Sequence, residues 1–531
     1  MGSPEGPANP DGTRGLARVC FRMARELAPP VRGSTMPGPP SHREVFRVSR
    51  SDSLERTERW RRLLSDTRVG SGPRAARQEE AGAEATHRQL DERNDYSRDY
   101  DRIVFSSEFR CLHDKTQVFP LSTSDYTRTR LTHSIEASCV GRSLGHQAGL
   151  GLKAQGVELD PSHLGTIVAA ACLAHDIGNP PFGHSGEAAI QHWVSQRLAP
   201  PGEGRKSPFA TEAEWRDLRD FEGNAQGFRI LNRLQSRERR GGLRYTAATL
   251  GAMSKYPRPS VLPGSRAKTK GVVSEKKFGY FQDDVDLALE AYRATDLRER
   301  EPGVFSRHPL AFLVEAADDI CYAVIDLEDS AKLGLVPMER ACELLESVLP
   351  EPSVRKPPRH LETRMAQARA KAIGKLIPQC VEAFVEHALD LEAGRTETSL
   401  TALKPDVRAR LEEITDFTRE HGYWSERVLQ IESAGFKTLG GLLDMFALSV
   451  VAEAPNAEEK KLRQLLPLEC FQRPEFAAAD EAAQKPPRRD EAIQRLTPYQ
   501  RLLCVTDYIT GLSDSRAVEL YQRLSGIQLP T

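Results

Sequence analysis

Residues Ala170–Ile190 read AACLAHDIGNPPFGHSGEAAI, and the rest of the chain is best understood outward from them. An apolar helix ends in adjacent His175 and Asp176. Gly178 then frees the backbone, Pro180 and Pro181 stop the helix, and Gly183 lets the chain turn before His184. An imidazole and a carboxylate side by side at a helix end offer a divalent metal two ligands. Two are too few to hold it, so others must come from elsewhere. The bland alternative is a salt-bridged helix C-terminus; a glycine–proline turn aimed at a second histidine disfavours it.

Two further stretches supply candidates. His133, in RTRLTHSIEAS, stands at the start of an apolar helix, where a polar ring needs a partner. In EAADDICYAVIDLED acidic residues interrupt one of the most apolar segments, and Asp318, Tyr322 and Asp326 recur at four-residue spacing on one face. Such a stripe on a buried helix is costly unless it meets cations, and a metal site would supply them. Spacing alone does not separate Asp318 from Asp319 as the fourth ligand.

Around these stretches the pattern is helical. Apolar periodicity runs through Leu131–Leu150, Leu164–His175, Leu310–Leu333, Leu361–Leu391, Leu400–Phe417, Pro498–Ser513 and Asp514–Leu524, with Ala and Leu dominant and β-branched runs rare. No alternation is long enough for a sheet, and there is no internal repeat. The expected fold class is all-α. Residues 54–420 form a catalytic helical domain, and 421–531 form a helical C-terminal region packed on it. Val69–Ala85, Pro200–Pro208 and Phe476–Asp490 read as polar connectors, and Pro257–Lys277 as a basic, mobile surface loop. Residues 1–53, rich in Pro, Gly, Ser and Arg, read as a disordered extension or as the product of a start placed upstream of one such as Met36.

Composition narrows the class. A net charge of -1 means that any phosphate specificity must come from local arrangement. No uninterrupted apolar run approaches the roughly 20 residues that span a bilayer. Nine cysteines without a CxxC pair, several in apolar helices (Cys139, Cys172, Cys321, Cys504), read as reduced and buried thiols of a cytoplasmic protein.

His133, His175, Asp176 and the acidic helix match in order the H…HD…D signature of the HD phosphohydrolase superfamily. FSSEFRCLHDKTQVFP, RTRLTHSIE, HDIGNPPFGHSGE, FEGNAQGFRIL, SKYP, EAADDICYAVIDLED and CVTDYITGLSDSRAVELYQRLSG resemble successive blocks of the bacterial dGTP triphosphohydrolases, from about Trp60 to Ile527. The resemblance implies an HD-domain helical core that cuts a deoxynucleoside triphosphate (dNTP) into deoxynucleoside and triphosphate. It makes His133, His175, Asp176 and Asp318 the metal ligands, Asp318 being chosen because Tyr322 follows four residues later. His184 and Glu187 match the catalytic pair, and Gln117 a contact to the sugar 3′-hydroxyl. Tyr322 and Asp326 would flank sugar and phosphates, with Arg130, Asn179 and Lys255 at the triphosphate. Two imidazoles and two carboxylates suit Mn²⁺ or Mg²⁺. The family further implies a homo-oligomer, often a hexamer, and a dNTP effector. Arg110-Cys111 stands where the family has two arginines, and His113 where Gln is common, so nucleotide preference is expected to differ.

Two other functions compete. An HD enzyme acting on a different phosphate ester would release orthophosphate; Gln117 and Tyr322 argue against it. A nucleic-acid-binding nucleotide sensor would use the basic loop and the arginine-bearing N-terminus, yet both lack interleaved aromatics.

Overall fold

Helix α4 (Pro161–Ala174) forms around a strong start signal: Asp160 accepts a hydrogen bond from the Ser162 amide at 2.9 Å, and Pro161 occupies the first turn. Thirteen helices build and position the site in the fold that the computed structural model describes for residues 50–72, 93–117, 128–202, 207–348, 358, 360–423, 426–482 and 487–528. The other twelve are α1 (Arg50–Leu63), α2 (Asp95–Phe105), α3 (Arg130–Ala154), α5 (Gly183–Arg197), α6 (Gly223–Asn232), α7 (Ala247–Met253), α8 (Pro309–Lys332), α9 (Leu361–Glu386), α10 (Pro405–Thr418), α11 (Glu426–Val451), α12 (Pro498–Thr510) and α13 (Asp514–Leu524). Further helices join them. The N-terminal extension up to residue 49, most of the Val69–Ala85 connector, and parts of Pro200–Pro208 and Phe476–Asp490 lie outside the described residues.

The fold is all-α, as the sequence predicts. Its one sheet among the described residues is a two-stranded antiparallel ribbon, β1 (Glu299–Glu301) and β2 (Val304–Phe305), too short to show as alternation.

Two apolar cores hold the helices. The first is built around α3, α4, α8 and α9, with Leu144, Val168, Leu313, Ile320 and Phe384 fully or almost fully buried. Helices α3 and α4 approach closely because glycine lines their contact. A Cβ at Gly145 would stand 2.6 Å from the Leu164 carbonyl oxygen, so only glycine fits. The second core joins Phe182, Ile190, Trp193, Phe221 and Phe281 to Leu439, Leu442, Phe446, Leu503 and Ile509 of α11 and α12.

Three sequence expectations need correction. Helix α11 was not singled out by periodicity, although Val428–Val451 is long and apolar enough to cross a bilayer. Here its apolar face, Leu439, Leu442, Phe446 and Val450, fills the second core instead. Cys139 is exposed, unlike Cys172, Cys321 and Cys504. The third concerns Pro257–Lys277, which is anchored: Arg258 is 1% exposed and donates to the carbonyls of Pro259, Ser260 and Glu275. Composition registers charge and proline but not a buried guanidinium that finds backbone acceptors.

Candidate active site

The HD turn sits where α4 ends. A Cβ at Gly178 would meet the Gly223 oxygen and the Gly227 nitrogen, each at 2.1 Å, so this glycine lets the turn press against α6. His175 directs Nδ1 at the Cys172 carbonyl oxygen, 2.6 Å away, which holds the proton there and turns Nε2 toward the site.

Four side chains converge on that corner. Ligand atoms of His133, His175 and Asp176 all lie within 4.8 Å of one another. Asp318 of α8 faces the two imidazoles, with Oδ1 3.2 Å from His133 Nε2 and 3.6 Å from His175 Nε2, and stands beside that group of three. The electrostatics are those of a cation site. Burial opposes charge on His175, yet Asp176 and Asp318 overcome it and lift the ring to about 9. Burial likewise opposes ionisation of Asp318, but His175 and His133 hold its carboxyl well below the usual range. Two imidazoles and two carboxylates in this arrangement fit a divalent metal ion, whose binding would displace the proton held between them.

Arg130 and Asn179 brace Asp176. An Arg130 guanidinium nitrogen is 2.9 Å from Oδ2, and Asn179 donates to Oδ1 at 2.5 Å. Lys255 stands beside Asp318, its Nζ 3.4 Å from Glu315 and 4.0 Å from Asp318. Partial desolvation opposes its charge, but Glu315, Tyr256 and Asp318 hold the ammonium above the usual lysine value.

A cavity of about 410 Å³ opens over the corner, within the range of small-molecule sites. Gln117, Arg130, His175, Asp176, Asn179, His184, Glu187, Lys255, Asp318 and Tyr322 all line it. His133 lies buried behind the lining. Asp326 is buried one turn beyond Tyr322 and does not line the cavity.

His184 and Glu187 share one face of the first turn of α5. Surrounding protein pushes the His184 ring below its ordinary value; Glu187 opposes this, and Arg130 and Lys277 reinforce it. Glu187 is fixed from two sides: Oε1 accepts from the Gly223 amide at 2.7 Å, and Oε2 is 3.6 Å from Lys277 Nζ.

Several functional neighbours escaped the sequence reading. Lys277 lies between Glu187 and Glu222, 2.8 Å from the latter. Glu315, paired with Arg307 at 2.9 Å, aims Lys255. The signal for Glu315 was available, since it is a carboxylate in an apolar helix three residues before Asp318. Lys115 is buried, donates to the carbonyls of Asn179 (2.8 Å) and Thr510 (2.6 Å), and is pushed down to about 8 by burial.

An all-helical fold with a histidine–aspartate pair at a helix end, completed by a second histidine and a second aspartate, defines an HD-type protein. No family model matches the chain. It is 40% identical over 478 residues to a deoxyguanosinetriphosphate triphosphohydrolase-like protein of Synechocystis sp., covering 88% of this chain and all of that relative. A like-named protein of Pseudomonas aeruginosa is 35% identical, covering 89% of this chain and all of the relative. The deoxyguanosinetriphosphate triphosphohydrolase of Salmonella arizonae is 31% identical, covering 82% and 94% of the two chains. The chain belongs to the deoxyguanosinetriphosphate triphosphohydrolase family.

Proposed function

We propose that this enzyme hydrolyses a deoxynucleoside triphosphate at the α-phosphate and releases the deoxynucleoside and intact inorganic triphosphate. The supporting observation is one cavity that holds three of the four ligands, the His184–Glu187 pair and two cations, Arg130 and Lys255. His133, His175, Asp176 and Asp318 would hold Mn²⁺ or Mg²⁺. When bound, such an ion draws electron density from the α-phosphate and orients it for in-line attack.

The chain's own residues supply the rest. His184, kept below its ordinary value, is neutral near pH 7 and takes a proton from the attacking water. Glu187, immobilised by the Gly223 amide and Lys277, orients that ring and stabilises the imidazolium. Attack on the α-phosphorus breaks its bond to the sugar 5′-oxygen, which takes up a proton as the deoxynucleoside leaves. Arg130, Asn179 and Lys255 hold the charge of the triphosphate, which retains the attacking oxygen. Gln117 and Tyr322 hold the sugar; Asp326, one turn further along the same face of α8, is buried outside the cavity lining and takes no substrate contact. The basic loop favours no nucleic-acid reading. Arg266 pairs with Glu275 and Glu301, and Lys277 with Glu222, so much of its charge is neutralised internally.

The test is product analysis. Each dNTP is incubated with purified protein and Mn²⁺ or Mg²⁺, singly and in mixtures, and the products are separated by chromatography. Deoxynucleoside with inorganic triphosphate is expected; orthophosphate as the primary product overturns the reading in favour of another HD phosphohydrolase reaction. Activation in the mixtures reports a dNTP effector, and light scattering reports the expected homo-oligomer.

A further inference from the structure

The start of α13, from the far end of the sequence, holds two segments that line the active site. Asp514 is 1% exposed. Its Oδ2 accepts from the Thr116 amide at 3.1 Å and the Thr116 hydroxyl at 2.5 Å, while Oδ1 accepts from the Phe182 amide at 2.9 Å. Thr116 immediately precedes Gln117, and its segment pairs with Thr129 at the start of α3. Phe182 immediately precedes Gly183 and His184.

The Phe182 backbone explains why it needs a hold. Its φ is 61°, left-handed for a residue with a bulky side chain, and Gly183 follows at 56°. A non-glycine residue in that region costs about 1–3 kcal/mol and persists only where its surroundings over-determine it. Asp514 fixes its amide, and Gly435 of α11 lies against its ring, close enough that a Cβ there would stand 2.4 Å from the ring. Lys115 makes a second tie at the same corner, joining the carbonyl of Asn179 to that of Thr510.

We propose that Asp514 is a positioning residue: its carboxylate sets the Thr116–Gln117 segment and the Phe182 turn, and therefore His184, relative to one another. This rests on the reaction proposed above. Asp514→Asn leaves a side chain of the same size that can no longer accept from all three donors. Thr116→Val removes only the hydroxyl donor.

Both variants are measured beside the unaltered protein for triphosphate release, Mn²⁺ affinity by calorimetry, thermal midpoint and amide hydrogen exchange. With Asp514→Asn, kcat is expected to fall roughly 10²-fold, as a misplacement of about 1 Å does. Exchange at 115–117 and 179–184 is expected to quicken roughly tenfold or more while α4 keeps its protection. Mn²⁺ affinity stays near that of the unaltered protein. With Thr116→Val, KM rises several-fold with kcat nearly preserved. If Asp514→Asn does not fold, the Thr116→Val split and exchange at 115–117 decide. Unchanged exchange and kinetics overturn the proposal, as does parallel loss of kcat, Mn²⁺ binding and thermal midpoint. Absence of triphosphate release by the unaltered protein overturns the reaction instead, and the exchange measurement still judges the positioning.

Discussion

His175 has its Nδ1 proton committed to the Cys172 carbonyl, so its other nitrogen is the one available to a cation. Asp318 faces both imidazoles, and on the proposed reading it is the carboxylate that α8 would give the metal. Asp318→Asn is expected to weaken Mn²⁺ binding by roughly 100-fold or more, beyond the loss typical of an outer-sphere partner, as read by calorimetry. His184→Ala separates chemistry from metal binding. Triphosphate release should fall roughly 10²–10⁴-fold while Mn²⁺ affinity is retained. The pH dependence follows from the direction of the His184 shift. The ring is held below its ordinary value, so it is a free base near neutrality and gains a proton only as pH falls through that lowered value. The rate profile of the unaltered protein should therefore have an acid limb below about pH 6.5, and the residual rate of His184→Ala should lack it.

Helix α8 carries Asp318 and is started by a histidine whose tautomer is fixed by its two bonds. His308 Nδ1 accepts from the Leu310 amide at 3.1 Å, and Nε2 donates to the Leu63 carbonyl at 2.9 Å. Burial pushes the ring down to about 4, and a proton on Nδ1 would remove the cap's acceptor. Below the unfolded value of about 6.5 the unfolded chain binds a proton that the folded chain refuses, so stability falls with pH. The loss runs from about pH 6.5 to about 4 and totals roughly 3 kcal/mol. His308→Asn keeps a capping oxygen and cannot titrate there. Its urea midpoint should change less between pH 7 and pH 5 than that of the unaltered protein; equal changes would refute the assignment. Elements such as α3, α4 and α8 were legible because local apolar periodicity states which face is buried. His133, His175 and Asp176 stood out in the same way, since each breaks an apolar run with a group that needs a partner. Asp318 was told from Asp319 only through the family resemblance, because both carboxylates interrupt the same apolar helix. Asp514 was not legible, because its partner Thr116 is 398 positions away and neither residue looks unusual locally. Lys277 was hidden for a related reason: nothing in a run of lysines reveals that one of them lies between Glu187 and Glu222.

At the scale of the whole molecule, the C-terminal helices and the catalytic segments share one interior. Leu439, Phe446 and Ile509 fill the same core as Phe182, Ile190 and Phe221, and a buried charge network runs beside them. Arg229 of α6 donates from Nε to Asp507 of α12 at 2.9 Å, and another nitrogen of its guanidinium reaches Asp283 at 2.8 Å and Asp284 at 3.1 Å. Arg473 pairs with Asp283 at 2.5 Å, and Gln226 donates to Asp507 at 3.0 Å. A buried network of this kind is weak as a source of net stability, yet removing one partner strands the others without water. Arg229→Met replaces the guanidinium with an unbranched apolar chain and leaves the Asp507 carboxylate, fully enclosed, short of its main cation. The expected cost is about 3–5 kcal/mol, seen as a lower urea midpoint. Because α6 also presents the Gly223 amide to Glu187, the same variant should lower triphosphate release even where it remains folded. Asp507→Asn on the Arg229→Met background should recover part of the midpoint, since the stranded charge is then gone. If the double variant melts no later than the single one, the loss comes from packing rather than from an unpaired carboxylate.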